Sequence, residues 1–126
     1  MKLSDNELKV MDIIWDEKYL DQNKEITAKE VSDILIERYG WQKATNYVYL
    51  NRLLKKEAIT RRYPKYTIKA LLQKDDVVND AVNEIIDKTY DGSTVNFFEA
   101  FLNDKKLTSA ELEEIKAILE NHQDEH

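Results

Sequence analysis

The N-terminal part of the chain contains two runs in which apolar side chains recur at the spacing of one face of an α-helix. Each run opens on a capping box, in which a Ser or Thr and a Glu satisfy each other's backbone N–H groups. The two boxes are Ser4 with Glu7 and Thr27 with Glu30. We therefore predict one helix that starts at Ser4 and a second that Thr27 opens. Residues 19–25, which are polar and aperiodic, are predicted to form a loop between them.

The middle of the chain changes from a helical period to a strand period. Gly40 is placed to supply the left-handed residue that often ends a helix, and the spacing then predicts a third helix over residues 43–57. Residues 59–63 and 66–70 have the composition of two short strands. Pro64 falls in the turn between them, where its missing N–H costs no strand hydrogen bond. Three helices followed by a hairpin is the element order of a winged helix-turn-helix domain.

The remainder of the chain, from Lys74, predicts three further amphipathic helices that are rich in acidic residues. The segment Asp91-Gly92-Ser93 ends the first and caps the second, and Thr108 with Glu111 forms a third capping box. Helices of this size cannot bury all their large apolar residues against one another, so we expect a second copy of the chain to cover them. The residues expected in this dimer contact are Val78, Val82, Ile85, Phe98, Phe101, Leu102, Leu112 and Ile115.

Composition narrows the class of protein. With two glycines and one proline in 126 residues, the chain lacks the turn signals of an all-β sandwich or barrel. We therefore expect a mainly α fold with a small β-hairpin wing. Cysteine is absent, which excludes disulfides, thiolate metal sites and cysteine nucleophiles. No apolar run is long enough to span a membrane and no signal-peptide core follows the N-terminus, so we expect a cytoplasmic protein without membrane insertion.

Catalytic chemistry has little support in the sequence. Both histidines, His122 and His126, lie in the C-terminal tail, so there is no H-E-x-x-H helix and no Ser–His pair inside a core. A metal site of Glu120, His122, Asp124 and His126 is a weak alternative, because carboxylates in a chain that is 35% charged are mostly solvated. We expect no enzyme, no metal and no cofactor.

The net charge of −6 conceals a strong separation of charge along the chain. Residues 1–73 carry 14 basic and 11 acidic side chains, whereas residues 74–126 carry 5 and 14. The segment from Lys43 to Lys69, both included, contains eight basic residues and one acidic residue, Glu57, so its local charge is +7. Such a segment is typical of a surface that binds a phosphate backbone. We therefore predict a DNA-binding domain over residues 1–73 and a helical dimerisation domain over residues 74–126.

The third helix is the candidate reader of DNA bases. A recognition helix packs one apolar ridge on its own domain and presents the opposite face to the major groove. With Tyr49, Leu50 and Leu53 turned inward, the outward face offers donors to base edges and phosphates. Basic residues of the hairpin would contact the backbone of any sequence. The candidate DNA-binding residues are Lys43, Thr45, Tyr47, Val48, Asn51, Arg52, Lys55, Arg61, Arg62 and Lys65.

Each of these features also has a simpler explanation. The basic residues of the helix could serve solubility alone, and those of the hairpin could serve to block pairing at the sheet edge. The alternative function is a winged-helix module that binds an acidic protein through the same residues. The two functions differ in the salt dependence of duplex binding, which is steep only when phosphates are neutralised.

Five segments, in their order and spacing, resemble one family. They are Leu3-Ser4-x-x-Glu7-x-x-Val10-Met11-x-Ile13-Ile14-Trp15; Trp41, Thr45, Arg52-Leu53, Lys55-Lys56 and Ile59; Tyr90-x-Gly92-Ser93; Asn96-Phe97; and Leu107-Thr-x-x-Glu111-Leu-x-x-Ile115. Together they resemble the penicillinase-repressor family (BlaI/MecI/CopY) from Leu3 to about Leu119. The resemblance implies a homodimeric transcriptional repressor, with N-terminal winged-helix domains and a C-terminal three-helix dimerisation region, bound to an inverted-repeat operator.

The resemblance also implies a means of regulation. Members of the family repress β-lactam-resistance or copper-homeostasis genes. In the β-lactam branch a membrane sensor protease signals, and the repressor is cut between an Asn and a Phe; Asn96 and Phe97 hold that position here. Plain packing of Phe97 and Phe98 is the alternative explanation of the pair. The copper branch senses metal through paired cysteines, which this chain lacks.

Overall fold

The computed structural model describes residues 2–104 and 106–123. The chain forms two compact units, one running to Asn79 and the other beginning at Asp80, within a helix. The boundary predicted after residue 73 falls just before this helix begins. The elements are α1 (Asp5–Trp15), a 3-10 turn (Glu17–Tyr19), β1 (Glu25–Thr27), α2 (Ala28–Tyr39), α3 (Lys43–Lys55), β2 (Ile59–Arg62), β3 (Thr67–Ala70), α4 (Lys74–Thr89), α5 (Thr94–Asp104) and α6 (Ser109–Gln123).

The N-terminal caps of α1 and α2 form as predicted. Ser4 N–H donates to Glu7 Oε1 at 2.7 Å, and Glu7 N–H donates to Ser4 Oγ at 3.2 Å. Thr27 and Glu30 make the same reciprocal bonds at the start of α2. Helix α2 ends at Gly40, whose φ of 68° lies in the left-handed region that a residue without Cβ enters at no steric cost. The capping patterns therefore identified the starts of both helices.

The predicted hairpin forms from β2 and β3, and a short strand that the sequence did not predict, β1, pairs with β3. The wing is therefore a three-stranded antiparallel sheet in the order β1-β3-β2. The predicted loop over residues 19–25 was wrong at both ends, since Tyr19 closes the 3-10 turn and Glu25 opens β1. Strand β1 pairs Glu25 with Lys69 and Thr27 with Thr67. A strand of three residues is too short to show an alternating pattern, so only its pairing with β3 defines it.

Helix α3 ends at Lys55, before the predicted end at residue 57. The φ of Glu57 is 59°, a left-handed conformation that cannot continue a right-handed helix. Glu57 N–H donates to Leu54 O at 3.0 Å, and Ala58 N–H donates to Leu53 O at 2.9 Å. The residues that follow α3 therefore cap the carbonyl groups of its last turn. This turn directs the chain into β2.

The core of the first unit is formed by all three N-terminal helices and the sheet. Its buried residues from the helices include Val10, Met11 and Ile14 of α1, together with residues of α2 and α3. A hydrogen bond of 2.8 Å from Trp15 Nε1 to Leu72 O ties the end of α1 to the segment that follows β3. The same compact unit therefore holds the helix and the wing that carry the candidate DNA-binding residues.

The second unit consists of the larger part of α4 with α5 and α6. Ser93 caps α5 by accepting from Asn96 N–H at 3.2 Å, and the predicted box of Thr108 and Glu111 forms at 3.0 and 3.1 Å. In the described part of this unit, Ile86 is the one buried hydrophobic residue. Three amphipathic helices are therefore present, but most of their apolar side chains lie at the surface of the single chain.

Candidate nucleic-acid interface

The exposed face of α3 carries most of the candidate DNA-reading residues. Asn46, Leu50 and Leu53 are buried and seat the helix on the domain. Because the helix repeats about every 3.6 residues, the positions between them lie on the other side. Val48, an apolar residue, is 47% exposed there. The exposed residues on this side are Thr45, Val48, Asn51, Arg52 and Lys55. Lys43 is also exposed, but it lies at the first position of α3, in line with the buried ridge.

Tyr47 lies at the edge of this face rather than in its middle. Its side chain is half-buried, and its ring packs edge-on against Tyr66 of the wing at 5.9 Å between centroids. The ammonium of Lys43 lies 6.0 Å from the same ring. Tyr47 therefore joins the recognition helix to the wing.

Asn46 is a buried polar residue that the apolar pattern did not predict as part of the core. Its Nδ2 donates to Ser32 Oγ at 3.0 Å and lies 3.3 Å from Ser32 O and 3.4 Å from Trp41 O. These bonds connect α3 to α2 and to the turn between them. The signal in the sequence was its position, one helical turn before Leu50 on the buried ridge. Asn46 thus helps to fix the orientation of α3 on the domain.

Arg61 and Arg62, adjacent in the sequence, lie on opposite faces of the wing because side chains alternate along a strand. Arg61 is paired with buried Ile68 and so shares the face that packs on the domain. Its guanidinium lies 5.1 Å from the ring of Tyr63 and 5.2 Å from that of Tyr66. Burial raises the pKa of Tyr66, and the neighbouring Arg61 opposes that rise. Arg61 is therefore held on an aromatic platform next to α3.

Arg62 lies on the other face and is engaged in an ion pair. Its Nη2 is 2.9 Å from Oε1 of Glu25, which β1 contributes. The Arg62 side chain is 62% exposed and that of Glu25 is 13% exposed. The pKa of Arg62 is raised, first by this hydrogen bond and then by the charge of Glu25. No local pattern in the sequence indicates this pairing, since the two residues are 37 positions apart.

A second cation of the basic segment is neutralised from outside it. Lys56, which follows α3, places its Nζ 2.6 Å from Oε1 of Glu7, and the Glu7 side chain is 2% exposed. The same ammonium donates to Lys2 O at 3.1 Å. The local charge of +7 counted along the sequence therefore overstates the charge available to a ligand, because Glu7 and Glu25 offset two of its cations.

Most of the apolar residues predicted for dimerisation are exposed on the C-terminal helices. Val82 and Ile115 are half-buried, while the others are exposed, Val78 in the first unit and the rest in the second. The exposed residues of this set are Val78, Ile85, Phe98, Phe101, Leu102 and Leu112. This exposure agrees with the expectation that the single chain does not cover them.

Asn96 and Phe97 lie in the first turn of α5. Asn96 is exposed and its backbone N–H donates to Ser93 Oγ. Phe97 is half-buried in an aromatic cluster, edge-on to Tyr90 at 5.8 Å and to Phe98 at 5.5 Å, and stacked on Phe101 at 6.0 Å. Phe97 therefore packs among aromatic rings, as the alternative explanation of this pair requires, but Phe98 is 51% exposed and is not a core residue.

The described ranges contain no cluster of three or more His, Cys, Asp or Glu residues that could hold a metal ion. Of the four residues in the weak metal alternative, Asp124 and His126 lie outside the described residues. Within the same described ranges, no helix has both the length and the apolar character needed to cross a membrane.

A three-helix domain with a seated third helix, an exposed polar and basic face and a three-stranded wing is the architecture of a winged-helix DNA-binding protein. Comparison with known proteins gives the family. The penicillinase repressor family model matches residues 3–121, so the chain belongs to that family and the resemblance seen in the sequence is confirmed.

Individual relatives are similar over nearly their whole length. The chain is 28% identical over 125 residues to the penicillinase repressor of Bacillus licheniformis, covering 96% of this chain and 91% of that protein. It is 28% identical over 120 residues to the methicillin resistance regulatory protein MecI of Mammaliicoccus sciuri, covering 94% and 93%. The solution structure of the DNA-binding domain of the repressor BlaI is 28% identical, with a TM-score of 0.49 over 60% of this chain and 87% of that one.

Proposed function

We propose that this protein is a cytoplasmic transcriptional repressor that binds an inverted-repeat operator as a homodimer. The observation that carries the proposal is the exposed face of α3, where the side chains of Thr45, Asn51 and Arg52 are all open to solvent. Asn and Arg side chains can form paired hydrogen bonds with adenine and guanine edges in the major groove. Membership in the penicillinase repressor family supports the same function.

The wing supplies contacts that do not depend on sequence. Arg61 is exposed next to the aromatic cluster that joins the wing to α3, and Lys65 is exposed in the turn between β2 and β3. Cations in such a position bind phosphates and fix the register of the helix on the duplex. In this proposal α3 discriminates between sequences, while the wing adds salt-sensitive affinity.

The homodimer is formed in this proposal by the exposed apolar surface of the C-terminal helices. Phe98, Phe101 and Leu112 are about half exposed in the single chain, and a second copy would remove them from water. Two linked DNA-binding domains then bind two half-sites with an effective concentration that one domain lacks. A C2 dimer also fits an operator made of two inverted half-sites.

Repression is relieved in this proposal by cleavage between Asn96 and Phe97, after a signal from a membrane sensor protease. The bond lies in the first turn of α5, and helix ends open more readily than helix centres. Cleavage there would detach Phe98, Phe101 and all of α6 from the DNA-binding domain. The target genes in this proposal are β-lactam-resistance or related stress genes, as the names of the relatives suggest.

Binding of a labelled mixed-sequence duplex, followed by fluorescence anisotropy over a range of salt concentrations, tests the DNA-binding function. We expect the logarithm of the affinity to fall linearly with the logarithm of salt, with a slope of about −0.9 for each phosphate neutralised. Selection from a random duplex library should then enrich an inverted repeat. Absence of duplex binding at low salt would instead favour the winged-helix module that binds an acidic protein.

A further inference from the structure

The ion pair between Arg62 and Glu25 crosses the whole width of the wing sheet. Glu25 lies on β1 and Arg62 on β2, and β3 runs between them. The cross-strand register places Arg62 opposite Thr67 and Thr67 opposite Thr27, so the outward side chains of these strands share one face. The guanidinium reaches across that face to Glu25 Oε1 at 2.9 Å.

The backbone that carries Glu25 is held by the preceding turn. Glu25 N–H donates to Asp21 Oδ1 at 3.0 Å, and Glu25 O accepts from Asp21 N–H at 2.9 Å. Asp21 also accepts from Asn23 N–H at 2.8 Å. With its side chain only 13% exposed, Glu25 is a positioned carboxylate, and Arg62 is the more exposed partner of the two.

A carboxylate and a DNA phosphate offer the same kind of acceptor to a guanidinium. A phosphate at Arg62 must therefore either displace Glu25 or bind the remaining N–H donors of a guanidinium whose charge Glu25 already offsets. In addition, the charge of Glu25 repels a phosphate that approaches within the screening length of about 8 Å. Among the described residues, the guanidinium of Arg61 is not in a salt bridge with a carboxylate and lies instead against the rings of Tyr63 and Tyr66.

We propose that Glu25 is an internal competitor of DNA phosphate for Arg62, and that this competition sets the sequence-independent part of the affinity of the protein for duplex DNA. The inference rests on the proposed DNA-binding function. It makes Glu25 a residue that acts on DNA through Arg62 without touching DNA itself. The competition does not involve the base contacts of α3, so Glu25 lowers the affinity for all duplexes alike.

The variant Glu25→Gln tests the proposal, with a labelled mixed-sequence duplex as the probe. It keeps the shape of the side chain and removes its charge. We expect binding about 3- to 10-fold tighter at moderate salt, and a salt slope steeper by about one, because one more phosphate contact is made. Glu17→Gln is the matched control. It removes a carboxylate that lies in the same segment but is paired with Lys24 and not with a residue of the wing.

A double-mutant cycle shows whether the effect passes through Arg62. We expect Arg62→Ala to weaken duplex binding only slightly in the wild-type chain. In the Glu25→Gln background the same change should remove most of the gain in affinity and restore the wild-type salt slope. Equal effects of Arg62→Ala in the two backgrounds would refute the competition.

The sign of the change separates this inference from its rivals. If Glu25 instead holds Arg62 in the pose that DNA needs, Glu25→Gln will bind more weakly, which overturns the proposal. An unchanged affinity and slope also overturn it. If the wild-type protein binds no duplex at low salt, the proposed function itself is wrong. Thermal melting confirms the fold of each variant, and Glu25→Thr, a residue well suited to a strand, replaces Glu25→Gln if that variant does not fold.

Discussion

The buried carboxylate of Glu7 links two distant parts of the first unit. It caps α1 through Ser4 and binds Lys56 beyond the end of α3. Burial raises the pKa of Glu7, but the hydrogen bonds from Lys56 and Ser4 outweigh burial and bring the pKa below its ordinary value of 4.5. A carboxyl whose pKa is lower in the folded state stabilises the fold above its unfolded pKa, and this contribution is lost as the pH falls through the folded-state pKa.

We therefore expect Glu7→Gln to lower the free energy of unfolding by about 1–3 kcal/mol at neutral pH, the usual cost of losing a hydrogen bond to a charged partner. The difference from the wild type should shrink as the pH falls below about 4.5. Urea unfolding followed by tryptophan fluorescence at several pH values measures it. Glu17→Gln, at an exposed ion pair, should leave stability unchanged. A stability loss that persists in acid would show that the ionised carboxylate is not its source.

At the scale of the element, the outward face of α3 and the two faces of the wing predict different effects on DNA binding. Arg52→Ala and Thr45→Ala should weaken binding to a selected operator by roughly 1–3 kcal/mol each, and binding to mixed-sequence DNA by much less. The reason is that base contacts, and not phosphate contacts, carry discrimination. Anisotropy titrations with both duplexes measure the two losses. Lys88→Ala, a cation in the second unit, is the control, and equal losses on both duplexes would mean that another face reads the bases.

The wing predicts an asymmetry between two adjacent arginines. Arg61→Ala should weaken binding to every duplex and reduce the salt slope by about one, since Arg61 lies on its aromatic platform next to α3. Arg62→Ala should change both quantities less, because Glu25 already neutralises Arg62. Salt titrations of the two single variants on the same mixed-sequence duplex compare them directly. A larger loss for Arg62→Ala would mean that the outward face of the wing is the one that contacts DNA.

At the scale of the whole molecule, affinity for the operator should depend on the C-terminal helices. Phe101→Asp places a charge among the exposed apolar residues of α5. Burial of a large apolar side chain is worth roughly 1.5–3 kcal/mol, and a symmetric dimer buries the same side chain in both copies. We expect monomers with a folded DNA-binding domain and a large loss of operator affinity. Analytical ultracentrifugation and gel-shift assays measure the two effects.

The control for this prediction is Glu99→Ala, an exposed polar position on the same helix, which should remain dimeric. Circular dichroism separates loss of the dimer from loss of the fold. A Phe101→Asp protein that still sediments as a dimer and binds the operator with wild-type affinity would exclude this surface as the dimer contact.

Local patterns predicted most of the helices in this protein because their causes lie within a few residues. The capping boxes at Ser4 and Thr27 and the left-handed Gly40 appear in the structure where the sequence placed them. Strand β1 was missed because three residues carry no period of their own, and it exists only through its hydrogen bonds to β3. The end of α3 was misplaced by two residues because Glu57, a good helix former, is left-handed here.

The sequence by itself determined the winged-helix order, the separation of charge and the exposed face of α3, since each depends on periodicity or on composition. The tertiary structure decided which cations of the basic segment remain available to DNA. Glu7 meets Lys56 across 49 positions and Glu25 meets Arg62 across 37. The energy of an ion pair depends on the distance between its charges in space, and not on how far apart the residues are along the chain. Only the folding of β1 against β3, and of α1 against the end of α3, brings these opposite charges together.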